Sequence, residues 1–232
     1  MKFNFRLLVF LVFFSVSSLS YALEIKTLQM FDSSRDRNIP VVIYQAENES
    51  KLPVVIINHG YEVKNTEYSF IADKLASLGY FVVAIQHELK TDKPLARTGN
   101  LFERRKPIWE QGVENILFVM DELKKTQINT NLDKVILIGH SNGGDISMML
   151  ADTYPKIVAK IISLDSLRYP FPGGIPILRF GAVDTKPDEG VVPITGIDIV
   201  YIKDAKHIDL CDRGSELIKD EIQKSIIQFL NR

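Results

Sequence analysis

Gly139-His140-Ser141-Asn142-Gly143 places a serine between two glycines, after the apolar run Val135 to Ile138 and before a helical pattern carrying Ile146, Met149 and Leu150. A serine hydroxyl is a weak nucleophile at neutral pH. A tight strand-to-helix turn can present it by holding the residue in a strained backbone conformation, with its oxygen standing clear of the sheet. A side chain at position 139 or 143 would collide with the neighbouring strand or the start of the helix, so both positions call for glycine. The strand before and the helix after separate this motif from an ordinary glycine-rich turn, and Ser141 is the expected nucleophile. Such a serine needs a general base, a carboxylate to orient that base, and hydrogen-bond donors for the oxyanion.

The rest of the chain offers candidates for each part. Of the four histidines, His59, His87, His140 and His207, only His207 follows Ser141 in the chain, and it lies just past the last predicted strand. An imidazole titrating near neutrality suits a group that takes the serine proton and hands it to the leaving group. Two aspartates end apolar runs between Ser141 and His207. Asp184, in the turn Gly181-Ala-Val-Asp184, is the first choice for the orienting acid, and Asp165 is the alternative. Asp188 and Glu189 lie farther out in a polar loop. The backbone N–H of Asn142 and that of Tyr61, in the loop opened by His59-Gly60, are the expected oxyanion donors. His59 and His140 are read as braces for these loops, and Trp109 as a packing residue.

These residues need a scaffold that brings strand ends together. Leu23 to Phe31 and Ile39 to Tyr44 alternate as a hairpin around a charged turn. Pro53 to Asn58, Phe81 to Ile85, Lys134 to Gly139, Ala159 to Leu164, Pro176 to Phe180 and Ile197 to Ile202 read as strands, several of them β-branched runs typical of burial on both faces. Helical spacing appears over Tyr68 to Leu78, from Pro107 through Leu123, after the elbow, and over Ser215 to Leu230. Glu88 to Lys106 reads as a long polar connection. Asp165 to Pro176 is too short for a helical crossover and reads as an extended loop. The alternation predicts an α/β domain over residues 23–232, with a mostly parallel sheet of about eight strands, helices on both faces and no cap domain.

The chain has 232 residues with a formal charge of −1. It opens with Lys2 and Arg6, then an apolar run from Leu7 to Phe14 and a serine-rich stretch closing on Ser20-Tyr21-Ala22, the pattern of a secretory signal peptide over residues 1–22. The run falls well short of the roughly 20 residues that span a bilayer, so stable membrane insertion is not expected. Cleavage after Ala22, giving a periplasmic or secreted protein, would remove two positive charges and leave −3. Mixed charges with that balance argue against nucleic acid as a partner. Cys211 is the single cysteine, so an internal disulfide is excluded, and it is read as a packed residue.

From Pro53 to the C-terminus the chain resembles the α/β-hydrolase superfamily, through Asn58-His-Gly-Tyr61, Gly139-His-Ser-Asn-Gly143, Gly181-Ala-Val-Asp184 and Lys206-His207 in that family's order. Ser163-Leu-Asp165 followed by Arg168-Tyr-Pro170, together with Ile85-Gln-His87, looks like the platelet-activating-factor acetylhydrolase and dienelactone-hydrolase-like branches. The resemblance implies hydrolysis of a small-molecule or lipid-like ester through an acyl-serine intermediate, with neither cofactor nor metal. In the acetylhydrolase branch the acid is carried at the position matching Asp165, and a second aspartate like Asp184 is a departure from it. Dienelactone hydrolases proper use cysteine where Ser141 stands, so their substrate does not carry over. The other reading is a catalytically silent α/β-hydrolase fold acting as a binding module.

Overall fold

The structure, a computed structural model, describes residues 23–46, 51–127, 129–193 and 195–232. The expected leader over residues 1–22 lies outside them. Strands β1 (Leu23–Asp32) and β2 (Arg37–Ala46) form the expected antiparallel hairpin, with Leu28 opposite Val41. Its turn is closed by Asp32, whose carboxylate accepts the N–H and hydroxyl of Ser34. Six further strands follow: β3 (Leu52–Asn58), β4 (Phe81–Ile85), β5 (Thr130–His140), β6 (Val158–Leu164), β7 (Ile177–Gly181) and β8 (Asp198–Tyr201). The sheet order is β1-β2-β4-β3-β5-β6-β7-β8, parallel throughout from β4 to β8.

Burial on both faces explains the continuous apolar runs. In β3, Val54 and Ile56 enter one core while Val55 and Ile57 enter the other, because successive side chains alternate across the sheet. The first core is covered by α2 (Leu101–Thr126) and α3 (Asn142–Thr153), through Trp109, Ile116, Val119, Ile146 and Leu150. The second lies under α1 (Ser69–Ser77) and α4 (Glu216–Leu230), through Ile71, Leu75, Ile222, Ile226 and Phe229. Each of these fully buried side chains contributes roughly 1.5–3 kcal/mol. Cys211 is buried in the second core. Among the described residues, no helix is long and apolar enough to cross a membrane.

The widest difference from an expected boundary is at the start of α2. Helix α2 begins at Leu101, not at Pro107, so the polar connection is shorter than it reads in the sequence. Asn100 supplies the start by accepting the N–H of Glu103, and Glu103 places a negative charge in the first turn. Pro107 then sits inside the helix on its exposed side, where water can satisfy the Glu103 carbonyl that proline leaves without a donor. The link from Asp165 to Pro176 contains no helix, and no cap is inserted between β6 and β7 among the described residues.

Candidate active site

Because β5, β6 and β7 are parallel, Ser141, Asp165 and Ala182 emerge side by side at one edge of the sheet. Ser141 lies at φ 52° and ψ −118°, a left-handed conformation that a side chain adopts only under constraint. Its surroundings impose that constraint. The Ser141 N–H donates to the Leu164 carbonyl at 3.0 Å, while its own carbonyl accepts from Gly144 and Asp145 to open α3. A Cβ on Gly139 would lie 2.5 Å from the Gly143 carbonyl oxygen, and one on Gly143 would strike the backbone oxygens of Asn58 and His59. Backbone oxygens in a packed sheet cannot swing aside, so the turn closes only around glycine.

His207 approaches from the loop after β8. Its Nδ1 lies 2.7 Å from Asp165 Oδ2, with Asp165 fully buried and the His207 side chain 24% exposed. Asp165 is itself left-handed, at φ 58°. Its carboxylate also accepts the Thr185 hydroxyl on Oδ2, and Arg179 Nη2 at 2.9 Å and the Ala182 N–H at 3.3 Å on Oδ1. Burial works to raise its pKa. The hydrogen bonds from His207 and Thr185, the charge of His207 and the Ala182 N–H outweigh that and hold it below the usual carboxylate range.

The two candidate carboxylates meet different parts of His207. Asp184 is exposed, and its Oδ1 accepts the backbone N–H of His207 at 2.7 Å; it holds the main chain of that residue, and Asp165 holds the ring. Asp188 likewise lies away from the imidazole and pairs with Arg168 at 2.7 Å.

The two expected oxyanion donors sit in well-supported backbone. Asn142 is the first residue of α3, where N–H groups have no partner within the helix, and its side-chain Oδ1 accepts from Trp109 Nε1 at 2.8 Å. Trp109 is thus the expected packing residue with an added role in seating the elbow. The peptide joining Gly60 to Tyr61 is fixed at its carbonyl, which accepts from the Val63 N–H at 3.1 Å and from His59 Nδ1 at 2.8 Å. In a trans peptide the Tyr61 N–H points opposite to that carbonyl. Tyr61 also has Arg97 over its ring at 5.8 Å, and Arg97 pairs with Glu62, so the polar connection before α2 packs onto this loop.

His59 and His140 brace these loops as expected. Burial holds His59 down to about 4, so it is neutral, donating from Nδ1 to Gly60 and accepting the His87 N–H on Nε2 at 2.8 Å. His140 is lowered to about 3, first by burial and then by His207. Its neutral ring accepts the Tyr68 hydroxyl on Nδ1 at 2.8 Å and donates from Nε2 to the His207 carbonyl at 3.0 Å. Tyr68 Oη in turn accepts the Gly60 N–H at 2.9 Å, so one chain of bonds runs from the Tyr61 loop through the elbow to His207.

Beside the elbow, buried Asp145 accepts the N–H groups of Arg168 and Tyr169, each at 3.0 Å, anchoring the loop after β6. Burial raises its pKa to about 6, against the pull of those bonds and of Arg105. Three residues of the site carried no distinct motif: Tyr68, Thr185 and Arg179. For Arg179 the signal was present, since a charge inside the run Ile177-Leu-Arg-Phe180 is out of place in a strand buried on both faces.

A model of the chlorophyllase family matches residues 14–167, a span that includes Ser141 and Asp165. The chain is 30% identical over 118 residues to chlorophyllase-1, chloroplastic, of Citrus unshiu and of Citrus sinensis, covering 50% of this chain and 33% of each relative. It is 29% identical over 130 residues to a Haemophilus influenzae protein named as an esterase/lipase, covering 56% of this chain and 40% of that protein. The aligned stretches thus span two fifths or less of the length of these curated relatives. Among solved structures, a ferulic acid esterase from Streptomyces cinnamoneus superposes with a TM-score of 0.68 at 16% identity, covering 84% of this chain and 78% of that one. A Klebsiella pneumoniae protein named as a dienelactone hydrolase gives 0.64 at 16% identity, covering 91% and 100%. These likenesses bear out the expected fold, an eight-stranded mostly parallel sheet of the α/β-hydrolase kind.

Proposed function

The chain belongs to the chlorophyllase family, and from that premise we propose that it is an exported serine hydrolase that cleaves a carboxylic ester, with Ser141, His207 and Asp165 as its triad. The observation that carries this reading is the 2.7 Å contact between Asp165 Oδ2 and His207 Nδ1, beside a serine held at φ 52°. In this reading Asp165 keeps the proton of His207 on Nδ1, leaving Nε2 to accept the proton of Ser141 Oγ. The serine oxygen bonds to the ester carbonyl carbon, and the N–H groups of Asn142 and Tyr61 take the charge on the carbonyl oxygen. His207 returns the proton to the departing alcohol, leaving an acyl-serine. A water molecule, deprotonated by His207, then releases the acid and restores Ser141.

The relatives named as esterases and chlorophyllases favour a small-molecule or lipid-like ester as substrate. With no cap between β6 and β7 among the described residues, the connection before α2 and the loop after β6 flank the site. A fluorophosphonate probe, which reacts with an activated serine, is expected to label the folded protein stoichiometrically at Ser141. Unlabelled protein should hydrolyse a series of chromogenic esters of increasing acyl length, with the optimum defining the pocket, and labelling should abolish that turnover. A folded protein that neither reacts with the probe nor turns over any ester would instead support a binding module.

Export rests on the pattern of residues 1–22, a basic start, a short apolar run and small residues before position 23. N-terminal sequencing of protein recovered outside the cytoplasm is expected to begin at Leu23, and recovery with Met1 intact would overturn it.

A further inference from the structure

Arg179 is a fixed charge that the mechanism above does not use. It lies on β7 with its side chain 3% exposed, and its Nη2 meets Oδ1 of the fully buried Asp165 at 2.9 Å. Among the described residues its Nε has no hydrogen-bond partner. A buried guanidinium with a bond unmade is costly, and well-packed apolar residues in place of the whole Arg179–Asp165 pair would serve stability as well or better. The neighbourhood is nonetheless shaped to admit it. A Cβ on Gly181 would strike Arg179 Nη1 and the Tyr201 ring, and that ring lies 6.0 Å from the guanidinium carbon.

The carboxylate of Asp165 is therefore divided. One oxygen faces a permanent cation and the Ala182 N–H, and the other faces His207 and the Thr185 hydroxyl. We propose that Arg179 is a positioning residue of the triad: it locks the rotamer of Asp165 so that Oδ2 is presented to His207, and its charge sets the pH range over which His207 acts as base. The proposal rests on the Ser141–His207–Asp165 reading. An uncompensated carboxylate would favour the imidazolium strongly and keep the base protonated to higher pH, whereas a cation on the other oxygen offsets part of that attraction. The other groups around His207 do not duplicate this effect. His140, its ring 4.7 Å from that of His207, is kept neutral by burial, Asp184 engages the main-chain N–H of His207, and the exposed Asp209 carboxylate accepts the main-chain N–H of Lys206.

The test is the pH dependence of kcat/KM on a soluble chromogenic ester for the wild type, Arg179→Met, Arg179→Gln and Arg179→Lys, each checked for folding. The two neutral variants are expected to move the acid limb upward by about one pH unit and to lower kcat more than KM changes. Arg179→Lys, which keeps the charge but not the planar fork, should leave the limb in place with a reduced kcat. A limb unmoved in Arg179→Met, with only thermal stability lost, would overturn the proposal. If the neutral variants do not fold, Arg179→Lys decides, since a shifted limb in that variant contradicts a role for the charge. Failure of the underlying reading is distinct, because the wild type would then neither react with a fluorophosphonate nor turn over any ester.

Discussion

Ser141→Ala is expected to lower kcat for ester hydrolysis by about six orders of magnitude and to abolish fluorophosphonate labelling. The substitution removes only one oxygen, and the peptides on either side remain held by Leu164, Gly144 and Asp145. Alanine inherits the left-handed backbone of the turn, so stability should change by no more than about 0.5 kcal/mol. Turnover and chemical denaturation measured on the same preparation check both halves. Wild-type-like turnover in this variant would falsify the assignment of Ser141 as nucleophile.

Asp165→Asn is expected to lower kcat by about four orders of magnitude, and Asp184→Asn by far less. Asparagine at 165 can still accept from Arg179 on its carbonyl oxygen, but its amide then faces His207 Nδ1 and selects the wrong tautomer. At 184 the amide can keep accepting the His207 backbone N–H, whose partner is exposed in any case. The two variants should also separate in stability. Loss of the carboxylate leaves Arg179 buried without its counter-charge, at a cost of roughly 3–5 kcal/mol. Folding must therefore be confirmed before rates are compared.

The pH dependence of stability carries the same signature. Asp165 is held below the usual carboxylate range, so its contribution is fully present above the unfolded value of about 3.9 and is lost as pH falls through the lower folded value. The wild type should lose that contribution in acid, and Asp165→Asn should lack it at every pH. Equal and severe losses of kcat in Asp165→Asn and Asp184→Asn would defeat a single orienting acid.

The sequence by itself determined the parts whose identity depends on local pattern. Gly139, Ser141 and Gly143 marked the elbow because only a strand-to-helix turn explains glycine on both sides of a serine. The β-branched runs marked β3 to β7 because burial on both faces leaves no room for alternation. His207 was singled out by chain order alone. Tertiary structure decided what depends on direction. Asp165 and Asp184 both end strands, and nothing in their neighbours' types tells which carboxylate meets a ring and which meets a main-chain N–H. That choice is made by the left-handed backbone at Asp165, which carries its side chain into the buried space between Arg179 and His207, and by the exposed turn that leaves Asp184 at the surface. Helix α2 was misplaced at its start for a related reason. A proline reads as a first-turn residue, and only the packed helix shows that Pro107 faces solvent, where the missing hydrogen bond costs least.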